Sequence, residues 1–423
     1  MKPGAGENRT YSARSYEEAQ AIERSREETN LKSIVMRTYI AVWIFFANAL
    51  LWVIKKIYFK GLASSDGEPT EIVVYTVGTL GDNVLMLPAV AAVKRWYPVA
   101  NVTVITNCDG FSEHPAREIF SSSPYVDRFI ALPEHPVKRE GFRMRVHLPG
   151  GHERMCDLFI NLSPFGNRGL IGGVIREMVL ARHLGAKQAI GFRMATYNRR
   201  DAFNRVQHRF MKNEARRTRG VLSEIGLLPV ENEDLLGRDE AAKRKVSEML
   251  SSYWDASRPL VVLNPGAKLR VSQWPAERFG LVAAWLIKAY NACVVLNGTL
   301  SERGICDEVV NASGGLVLNL AGELSIQELI ELLRMSSACI SNNTGPMTLT
   351  AMLGVPTVVL SSTRFSPTFY IPVSEKMVWL FSFNSFSYSY NDAGGPGSDL
   401  LQIEVSDVRN AFEGVYQAGS IVT

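Results

Sequence analysis

The chain has 423 residues, of which 46% are hydrophobic and 21% are charged, and this length predicts two or three domains. So much apolar material excludes a chain that is disordered throughout, and the net charge of +4 does not by itself indicate a nucleic-acid partner. The charge is unevenly distributed, because residues 138–219 contain 18 Lys and Arg against 6 Asp and Glu, a local net charge of +12 that leaves −8 for the rest. This basic region predicts a surface that binds anions, with a merely solvated surface as the alternative.

The five cysteines are scattered and form no C-x-x-C pair, which argues against a disulfide framework or a zinc site. Cys293 and Cys339 lie in apolar, strand-like runs, and we expect them to pack in a core. A reducing compartment fits this use of cysteine.

The first element is an apolar run, Thr38–Ile54, which contains no charged residue and has about the minimum length for a bilayer span. The polar segment 1–37 that precedes it is too long for a signal-peptide n-region, and the spacing of Ser15 and Glu18 predicts a helix that begins near Tyr16. We predict a membrane-anchor helix at 38–59 that either spans the bilayer or lies in one leaflet. The alternative is a buried core helix or an oligomer helix.

Residues 60–69 have the composition of a linker, and strands then alternate with helices. The first unit is a strand at Glu71–Val77, a helical pattern from Val84 to Trp96 that ends before Pro98, and a strand at Asn101–Thr106. A second series of alternating strands and helices begins with a strand at Leu260–Leu263. Alternation of this kind favours parallel sheets with helices on both faces.

The predicted fold class is therefore α/β, with two doubly wound Rossmann-like domains around a central cleft and an N-terminal membrane helix in front of them. The acceptor-side domain is placed at 70–220, a connector at 221–258, the nucleotide-binding domain at 259–400 and a C-terminal helix at 401–423. Ligands of such sheets bind beyond the carboxyl ends of the strands.

The first candidate motif lies between the strand Glu71–Val77 and the helix that follows it, and its glycines allow a sharp turn and a close approach of a ligand. It consists of Gly78, Thr79, Leu80, Gly81 and Asp82. It is not G-x-G-x-x-G, so a dinucleotide site is not expected. Asp82 lies at the start of a helix and is either a functional carboxylate or a helix cap.

The second motif, around Thr344 and Gly345, follows a strand and opens a helix with a proline in its first turn. Free amide groups at such a helix start suit a pyrophosphate, whereas simple capping by Asn343 or Thr344 is the alternative. The candidate donor-binding residues here are Asn343, Thr344, Gly345, Pro346, Met347 and Thr348.

The third motif follows the strand Leu260–Leu263 and contains Gly266, Lys268 and Arg270. The two cations could reach phosphate groups, or they could lie on a solvated loop. No D-x-D triplet, H-E-x-x-H, P-loop or G-x-S-x-G occurs, so metalloprotease, Walker-type NTPase and serine-hydrolase functions lack support. We expect no metal site.

At these three places the sequence resembles the heptosyltransferase-like glycosyltransferases of family 9, which have the two-domain GT-B fold. The resemblance covers about residues 71–418 and rests on VVYTVGTLGDNVLMLPAVAAVKRWYP, on WPAERF at Trp274–Phe279, on NLAGELSIQELIELL and on NNTGPMT at Asn342–Thr348. It implies metal-independent transfer of a sugar, with inversion, from a nucleotide-sugar donor to a lipid-linked or surface-glycan acceptor in lipopolysaccharide or polysaccharide biosynthesis. No cofactor is implied, because the nucleotide sugar is a substrate.

The resemblance also assigns roles to residues. Asp82 corresponds to the general base, and Thr344 and Gly345 correspond to the loop that binds the donor diphosphate. Glu302, which follows Gly298 after the strand Cys293–Asn297, is the match for an acidic residue that handles the donor nucleoside.

Three positions depart from the family pattern: Asn343 replaces an Asp, Thr348 replaces a His, and Ser272 replaces a Lys whose charge Lys268 or Arg270 could supply. These departures point to a changed donor or to weakened catalysis. We expect an enzyme at the cytoplasmic face of the inner or plasma membrane, with possible oligomers through the N-terminal helix. The alternative is a non-catalytic scaffold or sugar-nucleotide sensor in polysaccharide assembly, which would have no need of a carboxylate at Asp82.

Overall fold

The computed structural model describes residues 11–13, 18, 31–59, 67–107, 116–132, 134–140, 143–148, 156–163, 171–193, 197–200, 206–210, 214–231, 233–268, 270–362, 374, 376–382 and 400–420. The chain divides into two compact units, Glu27–Glu231 and Met1–Arg26 with Asn232–Thr423. The helix start expected near Tyr16 lies outside the described residues. A short strand, β1 (Tyr11–Ala13), precedes that point and was not predicted.

The first unit is built on a five-stranded parallel sheet with the strand order β4-β3-β2-β7-β8. Its elements in chain order are α1 (Leu31–Tyr58), β2 (Glu71–Val77), α2 (Leu80–Val84), α3 (Leu87–Trp96), β3 (Asn101–Asn107), α4 (Arg117–Ser122), β4 (Arg128–Leu132), β5 (Val137–Glu140), β6 (Arg143–Val146), β7 (Leu158–Asn161), α5 (Ile171–His183), β8 (Gln188–Ile190), β9 (Tyr197–Arg200), β10 (Val206–Phe210) and α6 (Glu214–Leu222). The pairs β5–β6 and β9–β10 form antiparallel hairpins.

The central strand of this sheet, β2, is buried over five consecutive residues, as expected for a strand covered on both faces. The single helix predicted from Val84 to Trp96 is in fact preceded by a separate short helix, α2. Pro88 explains the break, because it lacks the amide hydrogen that would continue a helix toward Val84, whereas it is tolerated in the first turn of α3.

The second unit is built on a seven-stranded sheet with the order β1-β16-β15-β14-β11-β12-β13, in which β1 alone among the described strands is antiparallel to its neighbour. Its elements after β1 are α7 (Glu240–Leu250), β11 (Leu260–Asn264), α8 (Ala276–Tyr290), β12 (Cys293–Leu296), α9 (Arg303–Ala312), β13 (Leu318–Asn319), α10 (Ile326–Met335), β14 (Ala338–Asn342), α11 (Gly345–Leu353), β15 (Thr357–Ser362), β16 (Met377–Ser382) and α12 (Val405–Ser420).

Alternate strand residues of this sheet enter one core with α8, α9 and α12; Val261 and Leu263 of β11, for example, pack there with Phe279 and Phe412. The two strand cysteines, Cys293 and Cys339, are fully buried, which confirms their predicted place in the core.

The stretch 221–258, expected to be a connector, is divided between the two units. Its helix α7 buries Ala242, Val246 and Leu250, which are spaced at i, i+4 and i+8 on one face. Lys245 also pairs with Glu328 of α10 at 2.7 Å. This part of the stretch therefore packs as an element of the second unit.

Candidate functional site

The Gly-Thr-Leu-Gly-Asp loop lies at the carboxyl end of β2, where α2 begins with Thr79 as its N-cap residue. The Oδ2 atom of Asp82 accepts hydrogen bonds from the backbone N–H of Thr79 at 2.7 Å and from its hydroxyl at 3.1 Å. The carboxylate therefore makes the capping contact, and it is half-buried. Asp82 therefore caps the helix, as one of the two alternatives from the sequence predicted. Capping does not prevent the same carboxylate from also acting on a ligand.

Gly78 is required for this arrangement. Its φ angle of +128° is strained for any side chain, and a Cβ at this position would overlap the carboxyl group of Asp82. The amide side chain of Asn83 donates to the carbonyl oxygens of Gly78 at 3.1 Å and Thr79 at 2.8 Å. Leu80 in the same loop is buried. The loop thus fixes a carboxylate at the end of the sheet where ligands of such folds bind.

A second carboxylate is fixed in the same way in the second unit, at the carboxyl end of β12. The Oε2 atom of Glu302 accepts hydrogen bonds from the N–H of Thr299 at 2.8 Å and from its hydroxyl at 2.9 Å. A Cβ at Gly266, which follows β11, would overlap the Glu302 carboxyl group, and one at Gly298 would lie 3.3 Å from its Cβ. The structure therefore brings together Gly266, Gly298 and Glu302, three of the predicted donor-binding residues.

The two loops share a sequence and a geometry. Residues 78–82 read GTLGD and residues 298–302 read GTLSE, and in both a threonine at the N-cap and an acid three residues later form a capping box. Each unit thus uses the same device to hold a carboxylate at a strand end.

The predicted diphosphate loop lies between β14 and α11. Thr344 is the N-cap residue of α11, and its side chain makes no capping hydrogen bond to the helix. Its hydroxyl donates instead to the carbonyl of Asn342 at 3.3 Å. The amide of Asn343 donates to the Ser361 hydroxyl at 3.1 Å, so capping by the side chains of Asn343 or Thr344 is not what the structure shows.

The remaining residues of this motif are held within the fold. Met347 is buried, and the hydroxyl of Thr348 donates to the carbonyl of Gly345 at 2.6 Å. Pro346 occupies the first turn of α11, as predicted. Lys268 and Arg270 are exposed on the loop that follows Gly266.

Among the described residues, no group of three His, Cys, Asp or Glu side chains is arranged to hold a metal ion. One described helix is long and apolar enough to cross a membrane, and its most apolar window is Ala41–Tyr58.

The sequence model of glycosyltransferase family 9 (heptosyltransferase) matches residues 173–387, half of the chain. The chain belongs to glycosyltransferase family 9. It is 27% identical over 124 residues to lipooligosaccharide heptosyltransferase 2 of Haemophilus influenzae and 27% identical over 147 residues to that of Haemophilus ducreyi. These matches cover 28% and 33% of this chain, and the chain spans only 35% and 42% of the length of these curated relatives.

Solved structures extend the likeness to most of the chain. A family 9 glycosyl transferase from Veillonella parvula superposes with a TM-score of 0.62 at 19% identity, over 83% of this chain and 99% of that one. The E. coli ADP-heptose LPS heptosyltransferase II superposes with a TM-score of 0.55 at 18% identity, with the same coverage. At these identities the likeness establishes the fold, and it confirms the predicted GT-B class.

Sequence reasoning missed a set of buried asparagines that hold the loops after β11, β12 and β14. The Asn297 amide donates to Oδ1 of Asn264 at 2.7 Å, and the Asn342 amide donates to the carbonyl of Pro265 at 2.8 Å. Oδ1 of Asn342 accepts from the N–H of Trp274 at 3.2 Å. The missed signal was that β11 and β14 both end in asparagine and that another follows β12 directly.

The W-P-x-E-R-F signature has a structural role in this chain. The indole of Trp274 is fully buried and donates to the carbonyl of Ile403 at 2.8 Å. One guanidinium nitrogen of Arg278 donates to the carbonyls of Leu401 at 2.8 Å and Ile403 at 2.6 Å. The signature therefore ties the segment before α12 to the start of α8.

A buried acid in the first unit was also missed. Glu177 of α5 is 1% exposed and accepts a hydrogen bond of 2.5 Å from the amide of Asn161, at the end of β7. Burial raises the pKa of Glu177 to about 7, against the opposing effects of hydrogen bonds from Asn161 and Ser163 and of the charge of Arg217. The only sequence signal is a Glu on the apolar face of a helix.

Proposed function

We propose that this chain is a membrane-associated, inverting, metal-independent glycosyltransferase that moves a sugar from a nucleotide-sugar donor to a lipid-linked or surface-glycan acceptor. The observation that carries the proposal is the placement of Asp82. A glycine that alone tolerates φ = +128° holds this carboxylate at the carboxyl end of the first sheet, and the family match supplies the reaction class.

In this proposal Asp82 is the general base. An acceptor hydroxyl loses its proton to the Asp82 carboxylate as its oxygen attacks the anomeric carbon of the donor sugar. The bond between that carbon and the nucleoside diphosphate breaks, and the diphosphate leaves with the electron pair. A positioned base of this kind typically contributes about 10²–10⁴-fold to the rate.

The second unit is proposed to bind the donor. The start of α11 at Thr344 and Gly345 offers backbone amides and the positive end of a helix dipole to the diphosphate. Lys268 and Arg270 are exposed and follow Gly266 closely in the sequence. Their positive charge can stabilise the leaving group. Glu302 is proposed to bind the donor nucleoside.

The altered residues of the family pattern suggest an altered donor. Asn343 removes a negative charge, and Thr348 is hydrogen-bonded inside its own helix. We propose that the pocket accepts a donor other than ADP-heptose. The enzyme would work on the cytoplasmic side of the inner or plasma membrane, with α1 as its membrane contact.

A nucleotide-release screen tests this proposal, with a panel of nucleotide sugars and a membrane-extracted acceptor fraction. We expect acceptor-dependent release of one nucleoside diphosphate and no loss of rate in EDTA. Gly345→Val should abolish donor binding because its side chain occupies the diphosphate position. Gly304→Val is the matched control, since a Cβ there meets nothing within 4 Å.

Three results would count against parts of the proposal. If the chain binds the donor without transferring sugar, and replacement of Asp82 leaves that binding unchanged, the non-catalytic sensor or scaffold is favoured. A strict requirement for a divalent cation would contradict the assigned role of the helix start. Efficient use of ADP-heptose would contradict the altered donor alone.

A further inference from the structure

One face of α1 is packed against the first unit. Ala47 and Leu51 are 4% and 1% exposed and belong to the same core as Val174 and Met178 of α5. This contact occupies a side of the helix that a bilayer-spanning helix would present to lipid.

Polar contacts hold the carboxyl end of α1 to the same unit. Lys55 forms an ion pair with Glu224 at 3.8 Å, and the guanidinium of Arg182 donates to the carbonyl of Tyr58 at 2.6 Å. These contacts fix the carboxyl-terminal half of α1 to the domain, so this half does not stand alone in a membrane.

The opposite face of α1 is apolar and exposed. Its large apolar side chains are 44–69% exposed, and they are Tyr39, Val42, Phe45, Phe46, Leu50, Trp52, Val53 and Ile57. At 100° per residue most of these positions fall on the side of the helix away from Ala47 and Leu51, and Tyr39, Leu50 and Ile57 lie at its edge. Contiguous apolar surface of this kind is rare on a soluble monomer and marks an interaction site.

A strand that precedes α1 in the sequence and a strand that follows it belong to the same sheet. Strand β1, which precedes the helix, pairs with β16 of the second unit, with Tyr11 opposite Phe381 and Ala13 opposite Trp379. Two strands that share backbone hydrogen bonds lie on the same side of any membrane. Because α1 separates them in the sequence, it cannot cross the bilayer between them.

Positive charge borders the exposed apolar face. The ammonium group of Lys56 lies 3.9 Å from the centre of the Trp52 ring. Lys56 is itself exposed and lies about 180° around the helix from Ala47, which places its charge on the exposed face. A second copy of this surface would bring like charges together, whereas an anionic lipid surface complements them.

We propose that α1 binds one leaflet of an anionic bilayer as a monotopic, in-plane helix, with its exposed apolar face among the acyl chains and the bordering cations at the phosphates. This inference defines the membrane association that the proposed function includes, so it rests on that part of the proposal. It does not depend on whether the chain transfers a sugar.

Topology is tested with the full-length chain in bacterial cells. Fluorescent-protein and alkaline-phosphatase reporters are fused in turn to the N-terminus and to the C-terminus. We expect both fluorescent fusions to be bright and both phosphatase fusions to be inactive, because both ends stay in the cytoplasm. Reporters active on opposite sides of the membrane would overturn the proposal.

The apolar face is tested by flotation of the purified chain with vesicles of phosphatidylcholine, alone or mixed with phosphatidylglycerol. The triple variant Phe45→Gln, Phe46→Gln, Ile57→Gln should bind mixed vesicles at least a hundredfold more weakly, which requires only about fivefold for each side chain. Val99→Gln with Leu228→Gln is the matched control, since these side chains are 81% and 58% exposed elsewhere in the same unit.

The charge contribution is tested by Lys56→Gln, which removes the cation beside Trp52; it should weaken binding to mixed vesicles about fivefold and leave binding to neutral vesicles unchanged. Arg128→Gln, an exposed arginine on β4, should change neither. Equal binding to neutral and anionic vesicles by the unaltered chain would overturn the role of the cations.

Two further outcomes separate the explanations. If the triple variant turns a dimer into a monomer and leaves vesicle binding unchanged, the face is a subunit interface and the proposal is wrong. The triple variant should keep sugar transfer to a detergent-solubilised acceptor. A chain that binds vesicles as proposed but transfers no sugar refutes only the proposed function.

Discussion

Replacement of Asp82 by Asn separates a catalytic base from a helix cap. The Oδ2 atom of Asp82 accepts two hydrogen bonds from Thr79, at 2.7 and 3.1 Å. The carbonyl oxygen of Asn can accept both, so the loop geometry should persist. Asn cannot take up a proton from an acceptor hydroxyl, so the change removes the basic function and leaves the cap.

The two effects differ in size. Loss of the charge at the cap should lower the free energy of unfolding by less than about 1 kcal/mol, because both hydrogen bonds can be remade. Loss of the base should lower the transfer rate about 10²–10⁴-fold, which corresponds to roughly 3–5 kcal/mol in the barrier. A drop in rate therefore cannot be explained by the drop in stability.

The assay compares the rate of acceptor-dependent nucleotide release with the donor dissociation constant and the denaturant midpoint. Asp82→Ala serves as the comparison, because it removes the base and also both hydrogen bonds, at a cost of about 1–3 kcal/mol in stability. We expect both variants to lose transfer equally and to bind donor normally, while only Asp82→Ala loses marked stability. Transfer at the unaltered rate in Asp82→Asn would refute the assignment and leave Asp82 as a cap.

Two further predictions concern the supporting residues. Gly266→Ala should displace the Glu302 carboxyl and raise the KM for the donor about tenfold or more, as measured by nucleotide-release kinetics. Gly304→Ala, where a Cβ meets nothing within 4 Å, should leave the KM unchanged. Equal KM values in the two variants would contradict the role of Gly266. Burial raises the pKa of Glu177 from an ordinary 4.5 to about 7. The contribution of this residue to stability should therefore be fully present below pH 4.5 and should fall by about 3 kcal/mol as the pH rises through 7. Glu177→Gln keeps an acceptor for Asn161 and should remove this part of the pH dependence in urea unfolding; an unchanged slope would show that the carboxyl titrates normally.

The fold was largely predictable because its central strands are continuous apolar runs bounded by polar residues. The prediction for β2 at Glu71–Val77 agrees with the structure at both ends, and the strand predicted at Asn101–Thr106 is one residue longer in the structure. Buried parallel strands leave few choices for such sequences.

The missed elements lack that signal. Strands β5 and β6 read VKRE and RMRV, whose charged residues give no apolar alternation, and they depend on their pairing with each other. Strand β1 has only three residues and depends on a partner far away in the sequence. Tertiary pairing of this kind cannot be read from a local window.

The glycine positions of the candidate site were predictable, but their purpose was not. The sequence indicated a turn at Gly78 and at Gly266, and the structure adds that each leaves room for a particular carboxyl group. The anchor helix shows a similar limit, since its composition suits a spanning helix and an in-plane helix equally well. The argument for an in-plane helix rests on the pairing of β1 with β16, which depends on the fold of the whole chain.

The pairing of β1 with β16 also has a consequence for the order of folding. The paired residues Ala13 and Trp379 are about 366 positions apart, and at about 5–20 residues per second the ribosome needs roughly 20–70 s to make that length of chain. The residues of the first unit emerge from the ribosome in this interval, while β1 remains unpaired. The outer edge of the second sheet can therefore close only after β16 has been made, and a nascent chain that stops before Met377 leaves β1 unpaired.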